Sequence, residues 1–282
     1  MKNIKIKCPA KINLTLEIVN KREDGFHNIK SIMQLINLYD YLDIIIEKSS
    51  EEKILLSGNS EEIPYNEKNL VYKAAKLFLE ESFIKNYKIS INITKNIPVA
   101  AGLAGGSTDA AGTLYGLNKL FNDIFSKEKL HELCAKLGSD LNVCLEGGCI
   151  LATSRGEKTE KLPFFDSHVT LIKPKNLGIS AKEAYTKYAE KEIKPKNDMT
   201  EKMIRAINSH QLIDDFLYND LEYAVFNDYK ELQYIKTVLP NSIMSGSGST
   251  YFILNNGENV EFSEDYIVIK NLKFIPDGIT EE

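Results

Sequence analysis

Residues Pro98-Val-Ala-Ala-Gly-Leu-Ala-Gly-Gly-Ser-Thr-Asp-Ala-Ala-Gly112 restrict the fold of this chain more than any other stretch. An alternation over Tyr87 to Lys95, with Ile89, Ile91 and Ile93 on one face, predicts a strand that leads into the loop. A helix of small residues follows, from about Ser107 to Asn118. Strand, glycine loop and helix together form a phosphate cradle. Gly102, Gly105 and Gly106 tolerate positive φ and close ligand approach. Ser107 to Ala111 would offer unpaired N–H groups and the positive end of a helix dipole. The expected ligand is a polyphosphate. No Lys-Ser or Lys-Thr follows the glycines and the spacing is not G-x-G-x-x-G, so neither a Walker A loop nor a Rossmann fingerprint is present. Read alone, the loop also suits a turn that merely seats a helix closely on a sheet.

At 282 residues the chain suits one large or two medium domains, and two is the expectation. Net charge is −5 with lysines and carboxylates interspersed, so no basic stripe points to nucleic acid or an anionic membrane. An anionic ligand must therefore be held locally. The opening Met1-Lys-Asn-Ile-Lys-Ile-Lys7 reads as a strand rather than a targeting segment. No run approaches the ~20 apolar residues of a membrane span. These features predict a cytoplasmic protein. Cys8, Cys134, Cys144 and Cys149 form no C-x-x-C pair and lie among apolar residues or glycines, which predicts core thiols rather than disulfides or a zinc site.

From Asn3 to Lys48 the alternation predicts strands, with turns at Glu23-Asp-Gly25 and Tyr39-Asp40. The stretch Glu51 to Asn66 is acidic and contains Gly58 and Pro64. Leu70, Val71, Ala74, Ala75, Leu77 and Phe78 then mark one helical face. Ser126 suits the N-cap of a helix that ends at Gly138, and Ser139-Asp140 opens a new turn. A strand over Cys149 to Thr153 follows. Beyond Glu157 the texture changes, and a domain boundary is expected near 155 to 165. Ser180-x-x-Glu183 and Asp198-x-x-Glu201 read as capping boxes. Ser242 to Leu254 carries a second glycine-rich turn between strand-like runs.

Five segments resemble the GHMP kinases, the small-molecule kinases of galactose, homoserine, mevalonate and phosphomevalonate, in the family's order over nearly the whole chain. They are Pro9-Ala-Lys11-Ile-Asn13-Leu14, Asp24-Gly-Phe26-His27-Asn28, the loop at 98–112, Gly138-Ser-Asp140 and Met244 to Thr250. The first two, with Lys173-Pro174, Ser180-Ala-Lys-Glu-Ala-Tyr185 and Asn219-Asp-Leu-Glu222, are similar to the branch that uses a cytidyl-polyol diphosphate in the non-mevalonate isoprenoid route. The resemblance implies an α+β fold of two domains with the active site in the cleft between them. The N-terminal domain, residues 1–158, would be ribosomal protein S5 domain 2-like and bind ATP. The C-terminal domain, 159–282, would be ferredoxin-like.

The chemistry implied is transfer of the ATP γ-phosphoryl group to the 2-hydroxyl of the erythritol moiety. It requires an aligned hydroxyl, charge neutralisation and a proton acceptor. Asp140 is the implied base and Lys11 its catalytic partner, which would attract the developing alkoxide. Read alone, Asp140 equally suits a helix N-cap and Lys11 a solvent-facing strand position. Pro98, Val99, Ala100, Ala101, Gly102, Leu103, Ala104, Gly105, Gly106, Ser107 and Thr108 would bind ATP, with Ser107 also a Mg²⁺ ligand. Phe26 would stack on the cytosine and His27 would bond its edge, with Asn13, Gly246, Ser247 and Gly248 also at the substrate. The cofactors implied are ATP and Mg²⁺, and the partner is a small molecule met by a monomer or weak homodimer. A sibling kinase of the mevalonate or homoserine type, or a non-catalytic nucleotide-binding regulator, remains open. The chain departs from the family at Val99-Ala100-Ala101 and Ala104, where glycine or serine is common. It departs again at Asp140-Leu-Asn-Val143, where Asp-Val-Pro is usual. The alanines narrow the backbone choices of the cradle and bear on ATP affinity.

Overall fold

The computed structural model describes residues 1–191, 198–255, 257 and 259–282. In chain order its elements are β1 (Lys2–Lys21), β2 (His27–Lys48), β3 (Lys53–Gly58), α1 (Leu70–Ser82), β4 (Tyr87–Thr94), α2 (Gly105–Leu120), α3 (Lys127–Leu137) and α4 (Leu141–Glu146). There follow β5 (Cys149–Ser154), β6 (Lys158–Leu162), β7 (His168–Pro174), α5 (Ala181–Glu190), α6 (Met199–Asn208), β8 (Tyr218–Asn219) and α7 (Asp220–Val225). The last are α8 (Lys230–Val238), β9 (Ile243–Met244), β10 (Tyr251–Leu254), β11 (Tyr266–Lys273) and β12 (Thr280–Glu281). Among the described residues the strands form two sheets, so the class is α+β. The eight-stranded sheet runs β12-β1-β2-β4-β3, with β5 and β6 continuing from β2 and β8 pairing β1; the four-stranded sheet runs β11-β7-β10-β9. No helix among the described residues is long and apolar enough to cross a membrane.

β1 and β2 are long antiparallel partners that bend at three register shifts. Bulges let one strand serve several cores. Along β1, Ile6 and Cys8 face the first core, Ala10, Ile12 and Leu14 the second, and Leu16 and Ile18 the third. The turn expected at Tyr39-Asp40 is one of these bulges. Pro9 pairs with Tyr39 and Ala10 with Ile36, so β2 continues through the site and Asp40 turns inward. The acidic stretch holds β3, an edge strand parallel to β4 whose alternation is only half buried.

α2 sits against β1 because two of its residues lack side chains. A Cβ on Gly112 would collide with Cys8 Sγ, and one on Gly116 would lie 2.7 Å from Ile44 Cδ1. All four cysteines are free and buried, as expected. Burial pushes the Cys134 and Cys149 thiols up to about 12, so they remain protonated core groups.

Ser126 and Ser180 cap α3 and α5 through Lys129 N–H and Glu183 N–H. The second capping box fails. Asp198 takes a left-handed φ of 74° and its side chain caps nothing; Met199 N–H donates instead to Glu17 Oε1 at 2.7 Å. Glu201 pairs with Lys30 at 2.8 Å. The division expected at 158/159 passes through the start of β6, whose residues 158–162 pair with β5 in the first sheet. We propose 163–167 as the link between the two layers.

The glycine contact yields a test. Gly112→Ala should cost about 1 to 3 kcal/mol in chemical denaturation, the usual toll of overpacking. A variant as stable as the parent would show that α2 can lift from β1 without penalty.

Candidate active site

The pleat of β1 sends Ile12 and Leu14 into the core and turns Lys11 and Asn13 to the other face. Lys11 is only 3% exposed. Its ammonium donates to Asn13 Oδ1 at 2.6 Å and Gly102 O at 3.0 Å, and lies 3.5 Å from Asp140 Oδ2. A buried lysine needs such partners, and here two of them are supplied by other segments. Asp140 does precede α4, yet its side chain makes no capping bond. The carboxylate is left free to face Lys11. Asn13 is fixed in turn, since its amide donates to Ser31 Oγ at 2.8 Å.

The two glycine loops meet backbone to backbone. Gly102, at φ 74°, lies so close to Ser245 O that a Cβ there would collide with it. Ser245 Oγ donates to Gly102 O at 3.0 Å and accepts from Asn13 N–H at 3.3 Å. Thr250 N–H donates to Ala101 O at 3.3 Å. Beneath the second loop, the fully buried Asn219 donates to Met244 O at 2.6 Å and Gly246 O at 2.8 Å, while Glu222 accepts from Met244 N–H at 2.9 Å. The Asn219-Asp-Leu-Glu222 motif is therefore the brace of the second loop.

Two cavities open on either side of this contact. One, of about 900 Å³, is lined by Lys11, Asn13, Asp140, Phe26 and His27. The other, of about 290 Å³, lies along Pro98 to Ser107. Gly102, Ala104 and Ser107 line both. The first bond of α2 runs from Thr108 N–H to Ala104 O at 2.8 Å, which leaves the N–H groups of Gly105, Gly106 and Ser107 ahead of the helix ladder. Open space surrounds the Cβ position of Gly106. The departures from glycine fall where the backbone most wants it: Ala100 and Ala104 take φ of 50° and 61°. Each costs about 1 to 2 kcal/mol relative to ordinary backbone.

Two of the residues expected at the ligands stand back from both cavities. Thr108 is fully buried, its hydroxyl toward the Cys144 thiol, and it lines neither cavity. Gly248 also lines neither; a Cβ there would meet Met244 Sδ at 2.6 Å, so this glycine serves the packing of its own loop. Gly246 and Ser247 do line the larger cavity.

At the far end of that cavity, His27 stacks on Tyr185 with centroids 5.2 Å apart, and meets Tyr188 edge-on at 6.3 Å. Burial, helped by Lys21, holds the imidazole below its ordinary value, so it is neutral at pH 7 and has both a donor and an acceptor. Phe26 stands apart from that stack, half exposed, with the Arg155 guanidinium 5.2 Å from its centroid. Tyr185 and Arg155 were not among the expected site residues. The signal for Tyr185 lay in the spacing of Ala181, Tyr185 and Ala189, one stripe of α5 that lines the cavity.

The sequence reading also missed the floor of the smaller cavity. Lys95 bridges Asp40 and Asp109, the latter at 2.8 Å, and Asp40 Oδ1 accepts from Asn96 N–H at 2.6 Å and Ile97 N–H at 2.8 Å. Asp109 Oδ1 is buried without a hydrogen-bond partner. Its burial, with Asp40 opposing Lys95, raises the carboxyl to about 7.

Among solved structures, a 4-(cytidine 5'-diphospho)-2C-methyl-D-erythritol kinase superposes with a TM-score of 0.70 at 28% identity, covering 88% of this chain and 89% of that one. A homoserine kinase from Cytophaga hutchinsonii shares the fold, with a TM-score of 0.76 at 17% identity over 100% and 98% of the two chains. Residues 69–149 match the GHMP kinases N terminal domain family. Fold and site thus define a GHMP-type small-molecule kinase. A 4-diphosphocytidyl-2-C-methyl-D-erythritol kinase of Clostridium perfringens is 41% identical over 256 residues, 88% of each chain. The chain belongs to the 4-diphosphocytidyl-2-C-methyl-D-erythritol kinase family.

The Asp109 environment gives a pH prediction. The folded chain keeps this proton up to about pH 7, whereas an unfolded aspartate releases it near ~4. The folded state binds more protons in that window, so this group's contribution to stability falls as pH rises from about 4 to about 7. Asp109→Asn should therefore lose less stability than the parent between pH 5 and pH 8 in denaturant titrations. Equal losses would mean that Asp109 is ionised throughout.

Proposed function

We propose that the protein transfers the γ-phosphoryl group of ATP to the 2-hydroxyl of 4-diphosphocytidyl-2-C-methyl-D-erythritol, giving the 2-phosphate and ADP, in the non-mevalonate isoprenoid pathway. One observation carries the reading. The Lys11–Asp140 pair, 3.5 Å apart, lines a cavity that joins the glycine cradle at Ser107 and extends to Phe26 and His27.

ATP phosphates fit the smaller cavity, where the N–H groups of Gly105, Gly106 and Ser107 face them. Asp140 accepts the hydroxyl proton as the new P–O bond forms, and no prior deprotonation is required. Lys11, already held by Asn13 and Gly102 O, attracts the developing alkoxide and the moving phosphoryl oxygens without reorganisation. Phe26 offers a ring face to the cytosine, and neutral His27 offers a donor and an acceptor to its edge. Gly246 and Ser247 bring the second loop to the acceptor.

Among the described residues no cluster of three His, Cys, Asp or Glu could hold a metal ion. The donor set fits Mg²⁺ held by the Ser107 hydroxyl with phosphate oxygens and water, an ion that neutralises phosphate charge when bound. The reading is of a monomer or weak homodimer in the cytoplasm acting on a small-molecule acceptor.

A coupled ATP-consumption assay across the cytidyl acceptor, mevalonate, homoserine and galactose tests the reading. Turnover is expected with the first alone. Asp140→Asn should lower kcat by roughly 10² to 10⁴ with little change in ATP KM. Full activity in that variant would remove Asp140 from its role.

A further inference from the structure

The turn that carries Phe26 and His27 is tied to the turn after β5 by two arginines. Arg22 N–H donates to Phe26 O at 2.8 Å, and the Arg22 guanidinium holds Asp24 at 2.8 Å. The same guanidinium donates to Ser154 Oγ at 3.1 Å and Asn28 Oδ1 at 3.2 Å. Arg155 reaches back the other way. Its guanidinium lies over the Phe26 ring at 5.2 Å, with Nη2 donating to Ala135 O at 3.4 Å. Glu157 fixes its backbone by accepting from Arg155 N–H at 2.9 Å. Arg155 and Phe26 both line the larger cavity.

Phe26 is 53% exposed, and a ring so placed on a turn has little apolar surface to hold it. A ring that must be ordered by its ligand binds more weakly than one already fixed, because each immobilised side chain subtracts from affinity. A planar guanidinium on one face supplies that fixation and leaves the other face free.

We infer that Arg155 is a specificity-determining positioning residue, which covers one face of Phe26 so that the acceptor's planar heterocycle meets a ring already held. The inference rests on the acceptor proposed above. Arg155 acts through Phe26 and leaves the reacting atoms alone, so its effect falls on acceptor binding. A guanidinium stays charged throughout the working pH range, so that effect is independent of pH.

The test is a double-mutant cycle with Arg155→Ala and Phe26→Ala, read by steady-state kinetics and by titration with CDP. Wild-type turnover of the cytidyl acceptor, measured first, tests the activity itself, while the CDP titration tests Arg155 whichever acceptor is turned over. Arg155→Ala alone should raise the acceptor KM and the CDP Kd roughly three- to tenfold, with kcat and ATP KM within about twofold of the parent. In the Phe26→Ala background the same substitution should change neither the acceptor KM nor the CDP Kd by more than about twofold. Arg155→Gln, which keeps a polar planar end group on a shorter stem and loses the charge, should repeat the single-variant result. Equal rises in both backgrounds, or a loss carried by kcat and ATP KM, would overturn the inference.

Discussion

The closest approach in the molecule that matters for its chemistry is between two stretches of backbone, at Gly102 and at Ser245 to Gly246. Only glycine allows it, since a Cβ on Gly102 would meet Ser245 O, and one on Gly246 would lie 3.1 Å from Lys11 Nζ. Gly102 O receives both the Lys11 ammonium and the Ser245 hydroxyl. One carbonyl thus fixes the position of a buried charge and joins the cradle to the second loop. Asn219 and Glu222 hold that loop from below, and Ser31 holds Asn13 from the side. Removing water from these groups strengthens each contact, and leaves little freedom for the ammonium to seek other partners.

The cradle stores strain where the contact releases it. Ala100 and Ala104 hold left-handed backbone, and each sits next to a residue locked from outside the cradle, Ala101 by Thr250 N–H of the second loop and Leu103 by Lys11 N–H of β1. Strained alanines persist only where their surroundings over-determine them. Beneath them Lys95 lies between two carboxylates, a local excess of negative charge in the floor of the smaller cavity. Burial and Asp40 raise the Asp109 carboxyl, which favours its neutral form and eases that conflict.

Much of this was legible in the sequence because it rests on local patterns. The glycine loop, Lys11, Asn13, Asp140, Phe26 and His27 lie in short motifs, and the structure gathers them around connected cavities. What escaped the reading depends on pairing across the chain. The bulge at Tyr39 looked like a turn because aspartate favours turns, whereas Asp40 is inward to cap the Asn96 and Ile97 N–H groups. Arg155 and Lys95 look like ordinary surface cations until the fold sets them against Phe26 and Asp109. Thr108 shares its loop with Ser107 but lies about 100° further round the helix, which turns its hydroxyl inward.

β12 pairs with β1 at Ile6 and Lys7, Ile279 enters the first core, and β8 pairs with β1 at Thr15 and Leu16. The sheet that carries the cradle is therefore discontinuous in sequence, completed by β8 from within the second layer and β12 from beyond its last strand. During synthesis residues 1–162 leave the ribosome with one side of β1 still unpaired, an exposed edge that invites wrong partners. That edge waits for strands more than fifty residues downstream, β8 at Tyr218–Asn219 and β12 at Thr280–Glu281. An excised 1–162 fragment would retain the glycine loop and Lys11 yet lack both closing strands and the second loop, so the first layer depends on the rest of the chain.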